Sequence, residues 1–244
     1  MPGSQTQTVS LFIQCLVDAM YPNVGVAMLN IFRRLDIPVD CPTQQTCCGQ
    51  PAFTSGYRRQ ATVAARRFIE IFENKEVIVC PSGSCAAMVR HHYPQLFENE
   101  PDWQRRAETV AAKTYELTQY LVDVLGIDDL GARYSGKLTI HDSCNALRAL
   151  GIREQPRRLI ARIADVELVE MNESERCCGF GGSFAVKYPE ISTAMAQDKV
   201  NDILATGAAA VVGVDIGCLM NIQGLLSRKK SPVKILHIAE LLAG

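Results

Sequence analysis

The 244-residue chain has no excess of either charge: 25 basic residues face 26 acidic ones, for a formal net charge of -1. That balance removes the electrostatic footprint of a broad nucleic-acid surface. No apolar run approaches the roughly 18 residues of a membrane span, and the opening MPGSQTQTVSLFIQCLVDAMYP has neither a basic leader nor a cleavage region, so the expected compartment is the cytoplasm. Several chemistries lack their marks. There is no GxGxxG fingerprint, no GxxxxGK phosphate loop, no HExxH zinc motif and no GxSxG nucleophile elbow. Also missing are a CxxC pair and the close-packed cysteine run of a bacterial ferredoxin. Cysteine itself is abundant, with ten residues. A chain this long buries a core without disulfide staples, so the thiols point to metal or redox chemistry.

The spacing of those cysteines repeats. Cys15 is followed 32 positions later by the adjacent pair Cys47-Cys48 and Gly49; Cys144 is followed 33 positions later by Cys177-Cys178 and Gly179. Cys85 in PSGSC and Cys218 in VDIGC close the two sets, 133 residues apart. An internal duplication is the economical reading. SLFIQC and KLTIHDSC each run a short β-prone segment into a cysteine, and VIVC and AAAVVG do the same ahead of the closing ones. Between them the spacing of apolar residues predicts helices over 24–35, 57–73 and 191–206, with a longer one over 103–126. Strands alternating with helices predict two duplicated α/β domains, 1–133 and 134–244, with mainly parallel sheets in a pseudo-twofold arrangement. Ligand sites in such folds lie beyond the carboxyl ends of the strands. LTQYLVDVLG and ILHIAELLAG read as matching terminal helices stopped by glycine.

Each half therefore supplies four candidate ligands: Cys15, Cys47, Cys48 and Cys85, then Cys144, Cys177, Cys178 and Cys218. Four thiolates suit a [4Fe–4S] cluster; structural zinc and metal-free redox thiols are the alternatives. The glycines of CCG and CCGFGG allow close backbone approach and amide hydrogen bonds to sulfur. Cys41 and Cys80 fall outside the repeat, Cys41 as a small buried residue and Cys80 as a core residue or spare ligand. His141 is the candidate catalytic residue, with His141-Asp142 set opposite Ile13-Gln14 of the first half. Asp142 and Asp215 precede cysteines and are candidates to orient donors, cap helices or fill a ligand position in a modified cluster, with capping the assignment preferred for Asp142. His91 and His92 read as surface or helix residues, and His237 as packing on the last helix.

The paired CCG segments, with HDSC, CCGFGGSFAVKYPEIS and GCLMNI, resemble the cysteine-rich (CCG) domain family, which includes a heterodisulfide reductase component and the iron–sulfur component of glycolate oxidase. The whole chain is most similar to the lactate utilization protein A branch. That resemblance implies an electron-transfer subunit in the oxidation of L-lactate to pyruvate, with an iron–sulfur cluster in one or both halves and companion lactate utilization proteins B and C. In the heterodisulfide reductase component each domain supplies five cysteines, the last two as CxxC. Here Ser82 and Asp215 stand where the fifth thiol would be, which favours an ordinary four-cysteine cluster, an atypically ligated one or an unoccupied site over the five-cysteine cluster. A thiol–disulfide or heterodisulfide oxidoreductase and a zinc-stabilised structural subunit are the competing readings.

Overall fold

The computed structural model describes residues 7–244. Eight short strands form two sheets of four, and every pairing within them is parallel. The first sheet has the order β2-β1-β3-β4, from Val9–Leu11 (β1), Val39–Asp40 (β2), Val77–Cys80 (β3) and Thr114–Glu116 (β4). The second repeats it as β6-β5-β7-β8, from Arg133–His141 (β5), Ala164–Leu168 (β6), Ala210–Gly213 (β7) and Lys234–His237 (β8). The expected duplicated α/β fold is present.

Parallel strands need crossover connections and are covered on both faces, which is why β3 and β7 read as unbroken apolar runs. The crossovers include helices Pro22–Arg34 and Arg58–Phe72 in the first half and Pro189–Ala205 in the second, close to the ranges expected from apolar spacing. Side chains alternate across each strand. Val9, Leu11, Val77 and Val79 join Leu138, Ile140, Ala210 and Val212 in one core shared by both halves. The opposite faces build separate cores: Phe12, Ile78 and Cys80 in the first half, Val211 with Cys178 and Cys218 in the second.

The long helix expected over 103–126 is two helical segments with a strand between them. Helix Pro101–Ala112 stops at Lys113, and β4 follows before helical structure resumes at Leu117. Thr114 and Tyr115 suit an extended chain, and pairing with β3 begins where Lys113 O accepts Ile78 N at 2.8 Å. Ladder formation with a distant segment overrides local helical periodicity. Likewise, the first residues of ILHIAELLAG belong to β8, and its helix is Ile238–Ala243. The last strand of each sheet therefore ends in a helix cap: Glu116 accepts from Thr118 N and Gln119 N, and His237 forms a capping box with Glu240. His237 is a cap rather than a packing residue within the helix.

The halves are related by a local twofold. Ser82 and Asp215, equivalent by their spacing from Cys85 and Cys218, pair with each other in an isolated antiparallel bridge. Equivalent residues meet one another only where a pseudo-twofold axis passes between them. Beside this contact, a Cβ on Gly83 would lie 2.6 Å from Ala146 Cβ, so the absent side chain permits the approach of the halves. On the far side Arg34 donates to the carbonyls of Leu130, Leu242 and Ala243.

Candidate metal and redox site

Each cysteine set converges at the carboxyl ends of the strands. Cys15 opens the helix following β1, Cys85 lies in the short helix Gly83–Ala87 following β3, and the Cys47-Cys48 pair arrives on the loop ahead of Gln50–Thr54. Cys144 follows β5, Cys218 lies in helix Ile216–Arg228 after β7, and Cys177-Cys178 come from the loop preceding Phe184–Lys187. All ten cysteines are free thiols.

In the first set the sulfurs follow one another as Cys15, Cys47, Cys48 and Cys85, with Cys48 Sγ 3.4 Å from Cys85 Sγ. The second runs Cys144, Cys177, Cys178, Cys218 in the same way. Donation from Cys15 and Cys48 holds the Cys47 thiol well below its ordinary pKa, and Cys144 and Cys178 do so for Cys177. The Gly49 and Gly179 amides each donate to the first sulfur of their pair at 3.4 Å. Both glycines have positive φ, and a Cβ on Gly179 would lie 2.6 Å from Ser192 O, so the CCG turn closes against the crossover helix only with glycine. The carbonyl of the second cysteine is satisfied from a different element in each half: Tyr93 Oη donates to Cys48 O at 2.9 Å and Asn221 Nδ2 to Cys178 O at 2.8 Å.

Two adjoining cavities, of about 200 and 190 Å³, hold the two sets. Gln50, Ser84, Phe180, Gly182 and Asp215 line both. Phe180 fits because Gly217 has no Cβ; one there would lie 2.6 Å from the ring. Asp215 accepts from Ser84 N at 2.9 Å, Ser82 Oγ at 3.3 Å and Gly217 N at 3.3 Å. Ser82 in turn accepts from Cys85 N at 3.2 Å. The residues at the fifth-thiol positions are thus helix caps joining the halves. Burial, then the Cys85 charge, raises the Asp215 carboxyl above its ordinary pKa.

Other sequence expectations need revision. Asp142 caps no helix. Burial opposes its charge, but Arg157 donates to both its oxygens at 2.9 and 2.8 Å and holds its pKa low. Cys41 is exposed on its loop, not a buried residue, with Gln45 Nε2 at 3.5 Å from its sulfur. Cys80 is buried next to Cys85. His91 is exposed and half-buried His92 stacks on Phe53, as surface-helix residues. The register sets His141 opposite Gly213 where Leu11 faces Val79, and it follows that Phe12, one residue on beside Cys80, is the counterpart of His141 rather than Ile13.

His141 is 2% exposed, and its ring nitrogen, Cys178 Sγ and Cys218 Sγ lie within 4.8 Å of one another, a small donor set able to coordinate a metal. Burial first, then the Lys199 charge, lowers its pKa to about 3, so the imidazole is neutral at physiological pH. Sequence reading passed over Lys199, Gln50 and Phe180. Only Lys199 carried a signal: it occupies the apolar face of its helix at the spacing of Ala196 and Ile203.

The pattern of the cysteine-rich domain family matches residues 9–90 and 138–223. The chain belongs to the cysteine-rich (CCG) domain family. Within it, lactate utilization protein A of Bacillus subtilis (strain 168) is 47% identical over 234 residues, spanning 96% of this chain and 98% of that protein. Lactate utilization protein A 1 of Bacillus mycoides (strain KBAB4) is 48% identical over 235 residues, or 96% of each. This cysteine-rich chain is therefore a member of the lactate utilization protein A family. Among solved structures, a hypothetical protein from Helicobacter pylori superposes with a TM-score of 0.68 at 9% identity. That match covers 98% of this chain and 49% of the other, so this chain spans about half its length and shares its fold. Among the described residues no helix is long and apolar enough to cross a membrane.

Proposed function

We propose that this chain is an electron-transfer subunit of an L-lactate-oxidising system, holding an iron–sulfur cluster at each four-cysteine site and working in the cytoplasm with companions resembling lactate utilization proteins B and C. The observation that carries the reading is the convergence of two complete cysteine sets on adjoining cavities. Cys15, Cys47, Cys48 and Cys85 would hold one group, and Cys144, Cys177, Cys178 and Cys218 the other; soft thiolates with glycine amides at the sulfurs fit an iron–sulfur group. Such a group takes up and releases single electrons, which divides the two-electron oxidation of lactate into one-electron transfers. The names of the relatives supply the substrate, and ten free thiols suit a reducing compartment. We take the two units to meet near residue 133, where β5 begins.

This chain's own residues set the conditions. Cys47 and Cys177 are already inclined to the thiolate form that binds metal, and half-buried Phe180 and buried Asp215 lie between the two sites. The same low pKa values support a second reading, thiol exchange without metal. Anaerobic purification with iron, sulfide and zinc quantification separates the readings. Iron and acid-labile sulfide in the reconstituted protein, with electron paramagnetic resonance signals on reduction, are expected; protein that takes up neither ends the cluster reading. Cys48→Ser and Cys178→Ser should each remove a different signal.

A further inference from the structure

Among the buried positions at which the duplicated halves differ, one neighbouring pair changes from apolar to ionisable. The inward face of helix Arg58–Phe72 carries Ala61, Ala65, Phe68, Ile69 and Phe72, and that of Pro189–Ala205 carries Ser192, Ala196, Lys199, Val200 and Ile203 with identical spacing. Lys199 therefore stands where Phe68 does, as His141 stands where Phe12 does. In the first half these two are aromatic and meet edge to face, with ring centroids 4.9 Å apart, beside Phe72 in the core that also holds Cys48 and Cys85. In the second they are an imidazole and an amine, 2% and 0% exposed.

The amine is accounted for. Lys199 Nζ donates to Glu173 O at 2.6 Å and Ser174 O at 3.1 Å. The imidazole is served less well: neither His141 nitrogen makes a hydrogen bond of good geometry, and the nearby Ser174 carbonyl is already taken by Lys199 Nζ and Asp142 N. Leaving such a group unpaired is unfavourable, and the first half shows that this register accepts a phenyl ring. Packing does not explain the histidine. Strand alternation points it to the face that carries Cys178 and Cys218, and its nitrogen lies within 4.8 Å of both sulfurs. Imidazole nitrogen and thiolate sulfur are a donor combination found at zinc and at histidine-ligated iron–sulfur centres.

We propose that His141 supplies a nitrogen ligand to the metal group of the second site, beside Cys178 and Cys218, so that the duplicated sites hold unlike centres, one all-sulfur and one mixed nitrogen–sulfur. The proposal rests on metal occupying these sites. Lys199 braces the Glu173 and Ser174 carbonyls near the ring.

The test uses the full chain, grown with ordinary or 15N-labelled histidine and reconstituted anaerobically with iron and sulfide, and reads nitrogen hyperfine coupling by pulsed paramagnetic resonance. A coupling of directly bound imidazole is expected in the wild type and in Cys48→Ser, changing pattern with the label and lost in His141→Phe. Phenylalanine is the residue the first half carries at this register; should that variant fail to fold by circular dichroism, His141→Asn replaces it. A second-site signal without imidazole coupling, or coupling that survives the His141 substitution, overturns the proposal while leaving the cluster reading intact. If no iron is bound, the cluster reading fails separately, and cobalt(II) is added to the metal-free protein instead. Absorption bands that differ between wild type and His141→Phe then support the nitrogen ligand, and identical spectra or no binding overturn it.

Discussion

Glu116 and His237 occupy equivalent caps at the ends of the last strands, yet their chemistry differs. His237 is satisfied at both ring nitrogens, from Ala239 N and against Pro81 O. Glu116 uses one oxygen for Thr118 and Gln119 and leaves Oε1 without a partner. Burial pushes its pKa up to about 7. A carboxyl with a raised folded-state pKa binds its proton more tightly folded than unfolded, so stability falls as pH rises from its unfolded value near 4.5 through about 7. Glu116→Gln should therefore gain up to about 3 kcal/mol over the wild type at pH 8 and almost nothing at pH 4, measured by denaturant unfolding at both. Residue types alone marked the eight paired cysteines. They did not mark Asp142 as the partner of Arg157, because that depends on what another segment brings alongside.

At the level of elements, strand and helix starts near the cysteines were legible from apolar runs and turns, since β1, β3, β7 and the last four residues of β5 are buried on both faces. The edge strands β2, β4, β6 and β8 were not. They are short, half polar in places, and take their extended form from ladder bonds to a neighbour far away in sequence. The short helix Gly83–Ala87 shows how an element is held by what it lacks. Gly83→Ala would place a methyl 2.6 Å from Ala146 Cβ and 3.0 Å from its backbone, forcing this helix off the one that follows Cys144. A loss of about 1–3 kcal/mol is expected, read as a lower unfolding midpoint with unchanged slope.

Across the whole molecule, one shared core and the Ser82–Asp215 bridge fix the halves so that their two cavities adjoin. Asp215→Asn tests that coupling. The amide replaces one of two acceptor oxygens, so either Ser84 N or Gly217 N loses its partner, at about 1–3 kcal/mol. Because Asp215 lines both cavities, this single change should alter the spectra of both sites, where Cys48→Ser and Cys178→Ser each alter one. Spectra of one site only would show that the sites are isolated from each other. The duplication, the two cysteine sets and the parallel α/β class are legible in the chain alone, because spacing, apolar runs and turn residues are local properties. That equivalent residues meet across a twofold, that the sites share a wall, and that His141 replaces Phe12 emerge only when the chain is folded. Register and burial arise from contacts between segments far apart in sequence, which no local pattern encodes.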